Sequence, residues 1–444
     1  MSDIQLDGSA LSRRGWLAAS ASMLTGSLAW TLPIQARAQE LKQRGMSCIL
    51  LWMPGGPSQF ETFSPLEGHA NGGETKAIDT NVGGIRFSEN LPRLAQVADQ
   101  LAVLRSMTTR EGDHGRASHL MQTSYLPIAG VQFPTAGAVA SHELAAPDSE
   151  LPAYVRIGFG GSTGTSSGYL GPKYDPFAMT TSTCLPENTR LSTDEDRYRG
   201  RLSLLNRLHP VSKHAAPGPS DHLQLYADAS RMILSPQMEA FDLQHEPDSV
   251  RATYGWQPTA TGAMGRRGST TPDATAFRRS QFAADCLMAR RLIESGVTFV
   301  ELHLRGWDTH ADNFNQCRGL CEALDQPFAA LIRDLQDRGL LDRTLIVWLG
   351  EFGRTPRINP NAGRDHFPRA FTAALAGGGV HGGQVIGSVE AGGDAVKDRP
   401  ITEKDFFCTI YKALGIESTM QTLTPIGRPI RFVDGGNAVT EVFS

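Results

Sequence analysis

Five residues with metal-binding or acid–base side chains lie in the last third of the sequence, at Asp308, His310, Glu351, Arg354 and His366. The first two follow the apolar run 297–304, and the next two follow the apolar run 344–349. Carboxylate and imidazole groups bind divalent metals, and hydrolases use such metals to polarise an ester or to activate water. The residue types and their positions therefore predict a metal-assisted hydrolytic site.

The apolar runs that precede these residues must position them. Both runs are rich in β-branched residues, which predicts strands in a sheet that is covered on both faces. Helical patterns at 276–294 and 314–338 alternate with the runs, so we predict a doubly wound, mainly parallel α/β sheet with helices on both faces. Because such sheets bind ligands at the carboxyl ends of their strands, we expect Asp308, Glu351 and His366 to lie close together.

Two earlier segments add candidate residues. The apolar run 46–53 predicts another buried strand, which ends in the turn Gly55-Gly56-Pro57-Ser58. Glycine lets a backbone approach a ligand closely, so Ser58 is a candidate site residue, although serine also occurs in turns for conformational reasons. The segment 112–124 places His114 near the start of a predicted helix.

The composition excludes some classes of partner. The chain has 444 residues, of which 40% are hydrophobic and 20% charged, and its formal net charge is −4. This length accommodates one large α/β domain with insertions, or two domains. The charge gives no electrostatic basis for binding nucleic acid or an anionic membrane surface.

The N-terminal segment has the pattern of an export signal. Arg13 and Arg14 precede a short apolar stretch at 17–33, and Ala36-Arg37-Ala38 supplies a small-residue cleavage pattern. We therefore predict a twin-arginine signal peptide at 1–38 and export to the periplasm or the outside of the cell. Because the stretch is short and rich in alanine, serine and threonine, we expect no permanent membrane anchor.

The rest of the chain, residues 39–444, is predicted to form a single α/β domain. The region from about 150 to 270 contains stretches rich in glycine, serine and threonine or in proline and histidine, which predicts insertions or a cap over the sheet. Tyr169, Tyr174 and Trp256 in this region do not form a clear set of the kind that a polysaccharide-binding surface uses.

Several motifs together resemble the domain of unknown function 1501 family. They are Gly-Trp-Asp-Thr-His at 306–310, Glu-Phe-Gly-Arg-Thr-Pro at 351–356 and Gly-Arg-Asp-His-Phe-Pro at 363–368, with the turn 55–58 and the twin-arginine leader. That family is similar to the alkaline phosphatase and sulfatase superfamily. The resemblance therefore implies an alkaline-phosphatase-like fold and a metal-dependent hydrolase of phosphate or sulfate esters.

The sequence departs from that superfamily at three positions. The segment 114–124 has the spacing of the sulfatase nucleophile motif, but its first position holds His114 instead of serine, threonine or cysteine. The first predicted strand ends in Met53-Pro54 without an aspartate, and Phe352 stands where the superfamily has a histidine. The ligands of one metal are thus replaced, whereas those of the other are retained as Asp308, His310 and His366.

The resemblance implies at most one divalent metal, bound by Asp308, His310 and His366. The spacing leaves Asp312 as an alternative to His310. Mixed nitrogen and oxygen ligands favour zinc or manganese over magnesium. We predict about one equivalent of metal or none, and weak or absent activity on generic phosphate and sulfate esters.

The remaining candidates receive catalytic or substrate-binding roles. His114, Glu351 and Arg354 are predicted catalytic residues, and Arg364 and Ser58 are predicted to bind the substrate. His114 as a metal ligand or a structural residue, and Glu351 as an ion-pair partner of Arg354, are open alternatives. The predicted substrate is a small anionic ester or an ester linked to a polysaccharide. The leading hypothesis is an exported hydrolase, and the alternative is a catalytically degenerate member of the same fold that binds a ligand or a protein.

Overall fold

The strands of the protein are collected mainly in one sheet. The computed structural model describes residues 45–158, 166–208, 217–258, 272–424 and 426–444, so the predicted signal peptide lies outside the described residues. In chain order the strands are β1 Ser47–Trp52, β2 Ala77–Asp79, β3 Arg86–Ser88, β4 Leu101–Thr108, β5 Tyr154–Ile157, β6 Phe177–Met179, β7 Phe299–His303, β8 Thr344–Leu349, β9 Gly353–Arg354, β10 His366–Phe367, β11 Phe371–Ala376, β12 Gln384–Ile386, β13 Ser388–Val389, β14 Val396–Asp398, β15 Ile401–Thr402, β16 Gln421–Leu423 and β17 Pro429–Arg431.

The helices are of two kinds. The α-helices are α1 His114–Thr123, α2 Ala136–Leu144, α3 Glu195–Leu208, α4 Pro217–Leu234, α5 Asp248–Tyr254, α6 Pro272–Glu294, α7 Asn313–Asp337 and α8 Glu403–Leu414. Short 3-10 helices lie at Ala70–Gly72, Leu94–Gln100, Gly168–Leu170, Pro172–Tyr174, Pro236–Phe241, Leu243–His245, Leu341–Arg343 and Thr440–Phe443. Among the helices described, none combines the length and the apolar character needed to cross a membrane.

Nine strands form the central sheet, in the order β12-β4-β11-β8-β1-β7-β5-β6, with β15 beside β4. Strand β1 lies in the middle and runs parallel to β7 and β8. The pairs β5–β7, β5–β6, β12–β4 and β15–β4 are also parallel, whereas β11 is antiparallel to both β4 and β8. The predicted class, a doubly wound and mainly parallel α/β sheet, is confirmed.

Helices cover both faces of this sheet. Strands β1 and β8 are buried along their whole length, as expected where neither face meets water. Successive residues of a strand point to opposite faces: Leu51 belongs to the core that includes Leu287 of α6, and Leu50 lines a small space with Met121 of α1 and Phe407 of α8. Each such fully buried side chain contributes about 1.5–3 kcal/mol through burial of apolar surface.

The region predicted to hold insertions contributes to the sheet itself. Strands β5 and β6, the two at one edge of the sheet, come from it. Three of its stretches, 159–165, 209–216 and 259–271, lie outside the described residues. The prediction of insertions or a cap over about 150–270 therefore stays a prediction.

Candidate functional site

Asp308 lies in the middle of a group of histidines, in the loop that follows β7. Its Oδ1 atom is 3.2 Å from His114 Nε2, 3.1 Å from His310 Nε2 and 3.4 Å from His366 Nε2. The Nε2 atoms of His310 and His366 are 2.9 Å apart. His114, Asp308 and His366 each place one ligand atom within 4.8 Å of the others. The structure therefore brings together four residues that the sequence analysis singled out, and we call them the Asp308 cluster.

The N-terminus of α1 positions His114. The Asp113 side chain caps this helix by accepting a hydrogen bond from Arg116 N, and His114 is the first helical residue. The ring atom His114 Nδ1 lies 2.7 Å from Glu351 Oε1, which also accepts a hydrogen bond of 2.8 Å from Gly55 N. Glu351 is only 1% exposed. This buried carboxylate therefore orients the ring of His114, and it joins the loop after β8 to the turn after β1.

Contacts at Nδ1 orient the other two imidazole rings. His366 Nδ1 lies 2.8 Å from the carbonyl oxygen of Gly112, which only accepts hydrogen bonds, so Nδ1 carries the proton. His310 Nδ1 lies 2.8 Å from Asp365 Oδ1. In this arrangement the Nε2 atom of each ring presents a lone pair toward Asp308. Carboxylates and carbonyl groups hold metal-binding histidines in the same way.

Arg354 supports the cluster from the protein interior. Its Nη2 atom donates a hydrogen bond of 2.7 Å to Asp308 Oδ1 and another to Gly55 O. Its Nε and Nη1 atoms donate to Gly56 O at 2.9 Å and to Arg364 O at 3.0 Å. The Arg354 side chain has no exposed surface. Arg354 is therefore a positioning residue for Asp308, and its guanidinium group does not face solvent.

Neighbouring charges shift the pKa values of the cluster. Partial burial raises the pKa of Asp308, but hydrogen bonds from His114 and Arg354 outweigh it and hold this pKa well below the usual range. Hydrogen bonds to Asp308 and Glu351 raise the pKa of His114 to about 9. Burial lowers the pKa of His366, which favours the neutral form that binds metals.

Three predicted candidates lie outside the cluster. The Arg364 side chain has no exposed surface, and its Nη2 atom donates a hydrogen bond of 2.9 Å to Glu61 Oε1. Ser58 is also fully buried. Asp312, the alternative to His310 as a metal ligand, is exposed and accepts a hydrogen bond from Asn315 Nδ2 at 2.7 Å. Of these two residues, His310 is the one that reaches the cluster. Because Arg364 and Ser58 present no surface to a ligand, their predicted substrate-binding role has no support in this geometry.

Phe352 packs against two of the histidines. Its ring centroid is 5.0 Å from that of His114 and 4.5 Å from that of His366. On another side, a Cβ atom added to Gly56 would lie 2.6 Å from the ring, closer than van der Waals contact allows. The absence of a side chain at Gly56 therefore lets the phenyl ring fill the space between the histidines and the turn after β1.

The sequence analysis missed two contributors. Gly112 acts through its backbone carbonyl, which has no signature in a sequence. Glu61 pairs with Arg364, and both side chains have no exposed surface. A signal for Glu61 existed, because a carboxylate between Phe60 and Phe63 in a buried segment needs a partner.

The fold and the site together define an α/β protein with a histidine–carboxylate cluster at the carboxyl ends of the parallel strands. The chain belongs to the family described as protein of unknown function (DUF1501), whose sequence model matches residues 45–443. The family resemblance of the sequence motifs is thereby confirmed. No curated protein sequence matches the chain.

Solved structures similar to this chain include sulfatases and phosphonate hydrolases. The PsFucS1 sulfatase from Pseudoalteromonas sp. is 13% identical with a TM-score of 0.42, covering 86% of this chain and 70% of the other. The lipoteichoic acid synthase LtaP from Listeria monocytogenes is 9% identical with a TM-score of 0.38, covering 88% and 75%. A phosphonate monoester hydrolase of Agrobacterium radiobacter is 14% identical with a TM-score of 0.34, covering 90% and 77%.

Proposed function

We propose that this protein is a metal-dependent hydrolase of anionic esters. The observation that carries the proposal is the approach of His310 Nε2 and His366 Nε2 to Asp308 Oδ1, at 3.1 and 3.4 Å, with 2.9 Å between the two nitrogen atoms. A tetrahedral site with bonds of about 2.1 Å places its ligand atoms about 3.4 Å apart, so these three atoms are spaced as metal ligands are. Three acceptor atoms at such distances repel one another unless a cation or a proton lies between them.

Asp308, His310 and His366 are the proposed ligands. Their positions are held by Arg354, Asp365 and the carbonyl group of Gly112, respectively. When bound, a divalent metal supplies a Lewis acid that polarises an ester oxygen. Ligation by two nitrogen atoms and one oxygen atom favours zinc or manganese over magnesium.

We propose one metal and not two. The ring of Phe352 lies against His114 and His366, and a phenyl ring offers no ligand atom. Buried Met53 follows β1 where the family resemblance implies an aspartate. Among the residues that the structure describes, the group of three or more side chains spaced closely enough for a metal ion consists of His114, Asp308 and His366, all members of the Asp308 cluster.

His114 is the proposed acid. Its imidazole contacts the carboxylates of Glu351 at 2.7 Å and Asp308 at 3.2 Å, and both favour the protonated ring. A protonated imidazole at this position transfers its proton to the leaving-group oxygen of an ester. Since His114 stands where the sulfatase motif has its nucleophile, we propose that water from solvent attacks the phosphorus or sulfur atom. The bond to the leaving-group oxygen breaks as that oxygen takes the proton of His114, and the proton released by the water restores protonated His114.

The family resemblance, and not the geometry, indicates the substrate. It points to a phosphate or sulfate ester, either small or linked to a polysaccharide.

Metal analysis of the purified protein tests the proposal. We expect about one equivalent of zinc or manganese, and His366→Ala should release most of it because it removes one of three protein ligands. The variant His381→Ala, which changes an exposed histidine outside the cluster, should retain the metal. His114→Ala should keep the metal and abolish the weak hydrolysis of para-nitrophenyl phosphate or sulfate. A natural protein without metal, or one with two tightly held equivalents, would contradict the proposal.

We also propose that the protein is exported through its twin-arginine leader. Support comes from Arg13 and Arg14, the short apolar stretch after them and the cleavage pattern at 36–38. The double substitution Arg13→Lys with Arg14→Lys should leave an uncleaved precursor in the cytoplasm, whereas Arg37→Lys should still be exported. Cell fractionation with antibody detection shows where the protein is and whether it has been cleaved. Normal export of the double variant would refute the proposal of a twin-arginine leader.

A further inference from the structure

A cavity separate from the Asp308 cluster lies at the carboxyl ends of β5, β6 and β7. It encloses about 490 Å³, within the range of about 300–1,000 Å³ that small-molecule sites occupy. Its lining comes from the ends of these strands, from α6 and from the residues after α5, and includes Gly158, Thr181, Trp256, Gln281, Asp285 and His303. No lining residue belongs to the Asp308 cluster. Since this edge is where doubly wound sheets bind ligands, the cavity is a second candidate binding site.

A chain of hydrogen bonds runs from the buried floor of this cavity to its exposed rim. Asp285 is only 2% exposed, and its Oδ1 atom accepts hydrogen bonds from Ser182 Oγ at 2.6 Å and Gln281 Nε2 at 3.0 Å. Gln281 Nε2 also donates to Thr181 Oγ1 at 3.0 Å, and this oxygen lies 2.8 Å from Thr183 Oγ1 at the rim. Hydroxyl groups both donate and accept hydrogen bonds. These hydrogen-bonded side chains therefore offer a ligand several polar groups in fixed positions.

Aromatic rings line the same cavity. Trp256 is 7% exposed, and Phe277 is partly exposed. The guanidinium carbon of Arg251 lies 5.6 Å from the centroid of the Trp256 ring, a cation–π contact that fixes the indole. A cavity with both aromatic surface and a row of hydroxyl and amide groups suits a ligand that has apolar C–H faces and polar edges.

The floor of the cavity carries a buried carboxylate. Asp285 receives its hydrogen bonds from the neutral groups of Ser182 and Gln281, so its carboxylate charge is not cancelled by them. Burial raises the pKa of Asp285 to about 6, which leaves the group ionised at neutral pH. Gly158 has φ +81, and a Cβ atom there would lie 3.6 Å from Asp285 Oδ2. A glycine at this position thus keeps space open beside the carboxylate.

We propose that this cavity binds a neutral, hydroxylated ring, and a pyranose unit of a carbohydrate is the class that fits. The hydroxyl groups of the sugar form hydrogen bonds with the row of side chains from Asp285 to Thr183. The C–H faces of the sugar lie against the aromatic rings. Asp285, Arg278 and Arg305 all line the cavity, so a ligand with a single charge of either sign would lie near a group of the same sign. The proposal is independent of the metal chemistry at Asp308.

Titration of the purified protein with simple sugars tests the proposal. Methyl β-D-glucopyranoside, methyl β-D-galactopyranoside and lactose serve as probes, with isothermal titration calorimetry and saturation-transfer NMR as readouts. We expect at least one of them to bind, and Thr181→Val and Gln281→Leu each to weaken that binding about tenfold by removing a hydrogen-bonding group. Thr419→Val, a matched change at an exposed threonine outside the cavity, should bind like the natural protein.

Three results for the natural protein and Thr181→Val would overturn this proposal. They are the absence of binding by all three sugars, binding of cyclohexanol or glucuronate as tight as that of the best sugar, and unchanged sugar binding in folded Thr181→Val. Thermal unfolding verifies that each variant is folded, and Thr181 is a partly exposed rim residue whose isosteric replacement leaves the core intact. His366→Ala separates this site from the Asp308 cluster, because it should retain sugar binding even if it loses metal. Loss of sugar binding in that variant would place the sugar at the cluster and refute the second site.

Discussion

Arg364 and Glu61 form an ion pair without contact to solvent. Besides Glu61, the guanidinium group of Arg364 bonds the carbonyl oxygens of Thr355 at 3.0 Å and Asn71 at 2.7 Å. It therefore joins its own loop to the segment 61–71, which lies 293 to 303 positions earlier in the chain. Removing one partner of such a pair leaves the other charge buried and uncompensated, which typically costs about 3–5 kcal/mol.

We predict that Arg364→Met lowers the free energy of unfolding by about 3–5 kcal/mol. Chemical denaturation of the natural protein and the variant measures this difference. Arg357→Met, which replaces an exposed arginine in the same loop, should change stability by less than about 0.5 kcal/mol. If Arg364→Met unfolds like the natural protein but binds esters more weakly, then the substrate-binding role is correct and the structural role is wrong.

The sequence was sufficient to predict which residues form the cluster, but it was not sufficient to predict the role of each one. Asp308 follows β7, and His366 begins β10, which pairs with β9 just after β8, so the carboxyl ends of neighbouring strands bring them together. His114 belongs to a helix far away in sequence, and only the packing of α1 places its ring between Asp308 and Glu351. The sequence suggested a substrate-binding role for Arg364 because its burial could not be foreseen. Burial of a guanidinium group depends on a partner, and the partner of Arg364, Glu61, lies 303 positions away in the chain.

The loop between β9 and β10 carries its backbone unusually close to His310. Strands β9 and β10 pair antiparallel, with His366 opposite Arg354. Within the loop, Asn359 Nδ2 donates a hydrogen bond of 2.9 Å to His310 O, and Gly363 N donates to Asn359 Oδ1 at 2.9 Å. A Cβ atom at Gly363 would lie 1.9 Å from His310 O, a backbone atom. This loop can therefore hold His310 only with glycine at that position.

We predict that Gly363→Ala displaces the His310 loop. Because the methyl group collides with backbone, the variant should lose about 1–3 kcal/mol of stability and bind metal at least about tenfold more weakly. Chelator competition and thermal unfolding measure the two effects. The control is Gly83→Ala, since Gly83 has no neighbouring atom within 4 Å of an added Cβ. Equal metal affinity in both variants would show that His310 does not need this contact.

At the level of elements, the apolar runs predicted the buried strands well. The runs at 46–53 and 344–349 correspond to β1 and β8, and the helical patterns at 276–294 and 314–338 to α6 and α7. The direction of β11 was not predictable, because an apolar strand buried on both faces has the same residues whichever way it runs. Its antiparallel insertion between β4 and β8 depends on the chain path before it.

A buried polar network lies in the middle of the molecule. Glu301 of β7 contacts Arg156 Nε at 3.1 Å and His303 Nε2 at 2.6 Å, and it accepts a hydrogen bond from Tyr154. Burial raises the pKa of Glu301, but the charges of Arg156 and His303 outweigh it and lower this pKa from 4.5 to about 2. Folding therefore favours the ionised carboxylate.

The lowered pKa of Glu301 predicts how the free energy of unfolding changes at acid pH. The folded value lies below the unfolded one, so the contribution of Glu301 is fully present above about pH 4.5 and is lost as the pH falls toward 2. We expect the difference in unfolding free energy between the natural protein and Glu301→Gln to shrink by about 2 kcal/mol from about pH 5.5 to about pH 3. Urea titrations at these pH values measure it. A difference that stays constant or grows toward acid pH would exclude this linkage.

The central position of β1 has a consequence for the order of events during synthesis. Ser47 at its start contacts Thr344 of β8, 297 positions further along the chain. At about 5–20 residues per second, a ribosome needs roughly 15–60 s to make the chain between them. Until β7 is synthesised late in this interval, this apolar strand has neither of its neighbours in the sheet. The nascent chain therefore presents early an apolar segment of the kind that chaperones bind, and the centre of the sheet can close only after Thr344–Leu349 of the 444 residues has been made.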